Sequence, residues 1–303
     1  MSFSQQVKRE LATVCQPSLE AANTQISAML YFGKTLVRPG QILQTEQRVV
    51  ADCLIDLLTD VVSPIMTLFR APNPRRKNSI QYFLTIDRPK ELERLESIFM
   101  PDDFFERSSW EQTDISAAFV RGAFLVCGSV SDPQKEYHLE FALHDRTLAS
   151  RLAGVLSAQN MPVKYVERKN QMVLYVKESE SIEDLLTFMG ATRMSLSLME
   201  VKVLKDVRNR VNRVTNCETA NLEKVAVASV NQLEDIRYLE QVVGLERLPA
   251  SLEEAARFRR QYPELSLQEL AQTMGTVTRS GLYHRFQRLH DRAEKERGRK
   301  SGR

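Results

Sequence analysis

The chain has 303 residues, of which 43% are hydrophobic and 27% charged, with 42 Lys/Arg against 39 Asp/Glu. That length exceeds one simple core and the composition excludes wholesale disorder, so two or three folded domains are expected. The formal charge of +3 is placed unevenly: residues 207–303 hold 18 Lys/Arg against 13 Asp/Glu and residues 1–206 carry a net −2, so attraction for polyanions belongs to the C-terminal end.

In chain order, "MSFSQQVKRELATV" lacks the apolar run of a signal peptide. A helix follows in "LEAANTQISAMLYFG", then strand "KTLVR", turn "PG" and strand "QILQT". A helix in "EQRVVADCLIDLLTD" precedes strands near "IMTLFR" and "SIQYFLTI", which the basic loop "APNPRRKN" joins. Helix "PKELERLESIFM", with Pro89 suited to its first turn, ends this series. The series then repeats. A helix covers about Ile115–Cys127, with a short extended piece, a turn at "SDPQKE" and the alternating strand "YHLEFAL" after it. Asp145 caps a helix through "RTLASRLAGVLSAQ"; "VKYVERKNQMVLYVK" is a hairpin turning at Lys169-Asn170, and "SIEDLLTFMG" is a helix stopped by Gly190. The matching order indicates a duplication, with Gly33 and Cys127 in equivalent places 94 residues apart.

In "FVRGAFLVCGSV", residues 119–130, Gly122 and Gly128 punctuate an apolar helix. Laid on the repeat, Val120–Gly128 and Ile26–Lys34 are equivalent nine-residue stretches in an αββαββα duplication. This resembles the LAGLIDADG homing-endonuclease fold, whose name-giving helices pair through small residues, here Gly122 and Ala28. The resemblance implies a carboxylate at the eighth place of each stretch, where two acids hold divalent metal for strand cutting. Those places hold Gly33 and Cys127. Glycine has no ligand atom and a soft thiol does not suit Mg²⁺, which takes hard oxygen donors. Lys34 follows the first; Asp132, in the turn beyond the second, is a single carboxylate. No catalytic residue, cofactor or metal site is expected. A phosphate loop is absent, and His138, His144, His284 and His290 have no ligand spacing. The cysteines Cys15, Cys53, Cys127 and Cys217 form no C-x-x-C pair, which fits reduced thiols in a cytoplasm, and no run is long and apolar enough for a membrane span.

After "MEVKVLKDVR", the stretch with Arg208, Asn209, Arg210, Asn212, Arg213 and Asn216 reads two ways: a solvated connector with Asn turns and caps, or a linker whose arginines contact phosphate. Val225, Ala228, Leu233, Ile236 and Leu239 then mark one apolar helical stripe. "SLEEAARFRRQYP" and "SLQELAQTM" each begin as a capping box, Ser251 with Glu254 and Ser266 with Glu269. A short turn at Gly275 leads to "TRSGLYHRFQRLHDRAEK", whose Leu282, Phe286 and Leu289 face inward. Three short helices with a tight turn between the last two describe a helix-turn-helix domain. From Thr276 onward nine basic residues face three acids. The expected DNA-contacting residues are Ser266, Thr278, Arg279, Ser280, Tyr283, His284, Arg285 and Arg288, early polar groups toward base edges and arginines toward phosphate or guanine.

The degenerate helix pair, "VRNRVNRVTNCETANLEK", "QLEDIRYLEQVVGLERLP" and "TRSGLYHRFQRL" together resemble the WhiA family of bacterial regulators. The resemblance implies a DNA-binding protein linked to cell division and chromosome segregation, and to transcription of sporulation genes in spore formers. It also implies that Gly commonly stands where this chain has Cys127. The expected fold is α+β: a duplicated LAGLIDADG-like domain over residues 1–110 and 111–205, a helical connector at 206–248 and an all-α helix-turn-helix domain at 249–303. Double-stranded DNA, as promoter or nucleoid, is the expected partner of a cytoplasmic, nucleoid-associated, non-catalytic protein. Basic residues at two hairpin turns (Arg75, Arg76 and Lys77; Arg168 and Lys169) mark where a duplex, a protein or a small ligand could meet the first domain. Two alternatives remain open: a protein-interaction scaffold of the division machinery with secondary DNA contact, and a residual metal-dependent endonuclease.

Overall fold

A computed structural model describes residues 1–33, 40–74, 79–106, 108–168 and 171–301. The chain divides into two compact units, Met1–Lys205 and Asp206–Arg303. The first unit opens with helix α1 (Phe3–Leu11), held at its start by a reciprocal Ser2–Gln5 capping box. Two matching series follow. The first is α2 (Leu19–Gly33), β1 (Gln41–Thr45), α3 (Arg48–Val61), β2 (Thr67–Pro72), β3 (Ile80–Thr85) and α4 (Pro89–Phe99). The second is α5 (Thr113–Cys127), β4 (Gly128–Val130), β5 (Leu139–Leu143), α6 (Arg146–Ala158), β6 (Lys164–Arg168), β7 (Gln171–Val176) and α7 (Ser179–Met189).

Both sheets are antiparallel, in the orders β1-β3-β2 and β4-β5-β7-β6. Strands β1, β3 and β2 therefore stand as β5, β7 and β6 do, which is the duplication expected from sequence. The strand expected in "KTLVR", Lys34, the loop residues Arg75–Lys77 and the turn at Lys169-Asn170 lie outside the described residues. Strand β5 starts at Leu139, two residues later than the alternation suggested, and the hydrogen bond from Ser131 N–H to the His138 carbonyl is the last across its edge with β4.

One large core fills most of this unit, beside a small cluster of Ala21, Ile115 and Ala118. Helices α2 and α5, both rich in Ala and Gly, are buried over most of their length between the two series. The spacing of small residues decides how closely they approach. A Cβ placed on Gly122 would lie 2.6 Å from the carbonyl oxygen of Gln25 and 2.8 Å from Ala28 Cβ, so only glycine permits this crossing. Asp145 caps α6 by accepting from the N–H groups of Thr147 and Leu148, and Pro89 begins α4. Gly190 ends α7 at φ 98°, a left-handed conformation glycine adopts without penalty.

Helix α8 (Thr192–Val242) runs through the division between the units. The Asn turns and caps expected at 208–216 are therefore absent: those residues are helical and exposed. Asn is only mildly unfavourable in a helix, and the flanking Val, Leu, Arg and Lys carry the helix through. The second unit completes itself with α9 (Ala250–Gln261), α10 (Leu267–Met274) and α11 (Arg279–Ser301). Ile236 and Leu239 pack with Ala255, Leu270, Leu282 and Phe286 in its core. The Ser266–Glu269 capping box forms, but that expected from Ser251 and Glu254 does not. Helix α9 starts at Ala250 after Pro249, which places Ser251 inside the first turn. Glu254 is engaged elsewhere.

Candidate nucleic-acid interface

Among the described residues, the foot of the paired central helices carries no oxygen-rich centre. Gly33 ends α2 beside Leu43 and Val126, where an added Cβ would be 3.1 Å from Leu43 Cδ1. Cys127 ends α5 with its thiol donating to the carbonyl of Ala123 at 3.1 Å. Burial pushes that thiol up to about 12, so it stays protonated at neutral pH. Asp132 is exposed and accepts from Gln134 N–H within its own turn. Among the described residues no group of three His, Cys, Asp or Glu is arranged to hold a metal ion.

Sequence reasoning missed the group that does sit there. Lys8 of α1 is buried, its ammonium 5.9 Å from the centre of the Phe124 ring, and burial lowers its pKa to about 8. Only the i, i+4 recurrence of Val7 and Leu11 hinted that α1 packs inward; nothing in "QVKREL" marked Lys8 as the residue going with them. Arg121 is equally hidden. Its guanidinium donates to Gln25 Oε1 (2.6 Å), the carbonyl of Met189 (2.8 Å) and Gln16 Oε1 (2.9 Å), and desolvation lowers its pKa to about 10.

In the second unit, α10 and α11 meet at the Gly275 turn, at φ 67°. Two of the expected contact residues are occupied in building this turn. Ser266 accepts from Glu269 N–H at the start of α10, and the reciprocal hydrogen bonds that the Ser266 side chain and N–H make to the Glu269 carboxyl hold it below its ordinary range. Thr278 Oγ1 accepts from Gly281 N–H at the start of α11. On α11 the buried residues Leu282, Phe286, Leu289 and Ala293 form one stripe. At 100° per residue, Ser280, His284 and Arg288 fall opposite that stripe, with Arg279 and Tyr283 on one flank. All five are exposed.

Arg285 lies on the other flank and is half-buried, its Nη1 2.8 Å from Glu254 of α9. Farther along, Arg292, Arg297 and Arg299 also pair with acids. Arg279, Arg288 and Lys295 have no acidic partner among the described residues, so the free positive charge is concentrated there. Arg208, Arg210 and Arg213 are exposed on α8, likewise without an acidic partner. Arg259, which the sequence did not single out, is 2% exposed. It ties α8 to the α9–α10 loop through Gln232 Oε1 and the carbonyls of Tyr262 and Leu265, and lies 5.5 Å from the Phe286 ring centre.

A duplicated LAGLIDADG-like domain without the paired acids, followed by a helix-turn-helix domain, defines a class of two-part proteins. Two family descriptions match it: the WhiA LAGLIDADG-like domain over residues 116–208 and the WhiA C-terminal HTH domain over residues 211–293. The "Probable cell division protein WhiA" of Clostridium beijerinckii is 35% identical over 98% of this chain and 99% of its own length. That of Clostridium perfringens is also 35% identical, over 98% and 99%. The crystal structure of full-length DUF199/WhiA from Thermatoga maritima shares the fold with a TM-score of 0.59 at 24% identity, covering 97% of this chain and 99% of that one. The chain belongs to the WhiA family.

Proposed function

We propose that this chain is a non-catalytic regulator of cell division that binds double-stranded DNA through α11. The observation that carries the proposal is the exposed face of α11, where Arg279 and Arg288 lack acidic partners behind a capped α10 and a tight turn. Such a helix enters the major groove with its early residues toward base edges. Thr278, Ser280, Tyr283 and His284 serve the base-edge role, and the arginines contact phosphate or guanine. Ser266 acts at one remove, by fixing α10. Arg285 contributes less than its charge suggests, being held by Glu254. Arg208, Arg210 and Arg213 add phosphate contacts from α8. The relatives' naming supports the cell-division role; chromosome segregation, sporulation-gene control in a spore former, and a cytoplasmic, nucleoid-associated location complete the reading.

The test is fluorescence anisotropy on genomic duplexes across a salt series. Replacing Arg279 and Arg288 with Ala should weaken binding about tenfold or more and reduce the salt slope by about two. Unchanged binding would overturn the assigned face.

A second role for the first unit has its own support. The face of sheet β1-β3-β2 turned away from the core carries Gln44, Thr67, Phe69 and Gln81, and Phe69 is 45% exposed. The Asp87 carboxylate accepts from Thr67 and Thr85 at the edge of that face, and a negative charge there suits a protein partner better than a phosphate backbone. Capture of the same division or transcription protein by the wild type and by the Arg279/Arg288 variant would support this. Capture lost together with DNA binding would count against it.

A further inference from the structure

The first unit holds a cavity of about 710 Å³ where α1, the end of α7 and the start of α8 meet, lined by Gln6, Arg9, Glu10, Thr13, Gly190 and Arg193 among others. Its charges do not balance. Arg9 and Arg193 are both exposed to it and neither has an acidic partner among the described residues. Glu10 is the one carboxylate in the lining, and it is already used: its two oxygens accept from the backbone N–H groups of Arg193 and Met194, 2.8 and 3.0 Å away. The N–H groups of Arg193 and Met194 at the start of α8 are thereby capped from 183 residues away.

A third cation lies behind the wall, outside the lining. Gly190 has no side chain, and a Cβ built on it would be 3.5 Å from Arg121 Nη1. Arg121 is 4% exposed and its hydrogen bonds all go to neutral oxygens, with the Asp114 carboxylate acting on it only at longer range. A buried charge of this kind is costly unless an anion approaches it. Two guanidinium groups therefore line one space, with Arg121 behind Gly190, against the single carboxylate of Glu10, whose oxygens are already engaged by the α8 backbone.

We propose that this cavity binds a small phosphorylated metabolite of nucleotide size, its phosphates held between Arg9 and Arg193 with Arg121 behind them. A space of this volume matches sites for drug-sized ligands and far exceeds one orthophosphate. The excess of positive charge calls for an anion. Paired guanidinium forks suit the oxygen geometry of phosphate. Gln6 and Thr13 supply neutral hydrogen-bonding groups for the rest of the molecule.

The experiment is isothermal titration of the full chain at fixed ionic strength with ATP, pyrophosphate and citrate, repeated on Arg9→Gln/Arg193→Gln and on Arg279→Gln/Arg288→Gln. The expected result is saturable binding of ATP and pyrophosphate to the wild type. Binding should weaken about tenfold or more in the Arg9/Arg193 variant, since each arginine supplies charge-assisted bonds, and stay unchanged in the α11 variant. Both cavity arginines are exposed, so the variant should melt where the wild type does, and circular dichroism checks that it is folded. Absence of binding, or binding lost only in the α11 variant, would overturn the proposal. Citrate binding as tightly as pyrophosphate would overturn the phosphate assignment. Duplex binding that falls in the Arg9/Arg193 variant while nucleotide binding stays put would reassign these cations to DNA. Because the α11 variant reports on DNA separately, failure here and failure of the regulator reading are distinguishable.

Discussion

Gly122 shows how one missing side chain sets a helix crossing. Alanine in a helix interior is usually about 1 kcal/mol better than glycine. Here the new methyl would press on the backbone carbonyl of Gln25, which cannot rotate away, and on Ala28. Overpacking of this kind costs about 1–3 kcal/mol, so the clash outweighs the propensity gain. Gly122→Ala should lower the urea midpoint, and Gly122→Val should lower it further; a rise with Ala would mean the helices separate freely. Cys127 tests the chemistry at the same scale. Cys127→Asp restores one acid, but its counterpart is Gly33 and the nearest charge is the Lys8 ammonium, so one carboxylate faces a cation and has no second donor group. Plasmid incubated with this variant and Mg²⁺ or Mn²⁺ should remain supercoiled. Nicking that disappears on the further change Asp132→Asn would show that a sufficient acid pair exists after all.

At the scale of elements, two serines that look alike in sequence should behave differently. Ser266 accepts from Glu269 N–H, and Ser266→Ala should cost about 1 kcal/mol of the second unit's stability. Ser251 lies within α9 and caps nothing, so Ser251→Ala should be close to neutral in the same melting experiment. The joint between α8 and α11 responds to pH. His290 Nδ1 lies 2.7 Å from Asp235 Oδ2, and Arg297 Nη1 lies 2.8 Å from the other oxygen; Asp291 and Glu294 also face the imidazole. The hydrogen bond to Asp235 raises the His290 pKa above its ordinary 6.5. A raised histidine contributes stability that is fully present below pH 6.5 and is lost as pH climbs through the folded value. Wild type should thus exceed His290→Gln in melting temperature at pH 5.5 by more than it does at pH 8.5. A constant gap would assign the contact to packing alone.

For the molecule as a whole, local patterns gave most elements and little of what binds them together. Periodicity placed α2 and α5, and the Ser266, Asp145 and Gly190 signals fixed the starts of α10 and α6 and the end of α7, because each acts within a few residues. The continuous α8 was not readable at 208–216, since Asn/Arg-rich segments are ambiguous until their neighbours commit the backbone to a helix. Lys8, Arg121 and Arg259 were missed for a shared reason: a charged side chain reads as exposed until distant carbonyls arrive to satisfy it. The same limit applies to Arg285, whose partner Glu254 is 31 residues away. The burial pattern carries a last prediction. The first unit has its core around Phe119, Phe124 and Phe141, and the second has a separate one around Ile236, Leu270 and Phe286. Two cores joined through a helix that is exposed across residues 206–224 should not melt as one cooperative block. Calorimetry should resolve two transitions. Phe141→Ala, a loss of about 3–5 kcal/mol, should lower only one of them, and Phe286→Ala should lower only the other. Both substitutions moving a single shared transition would show that α8 transmits unfolding from one core to the other.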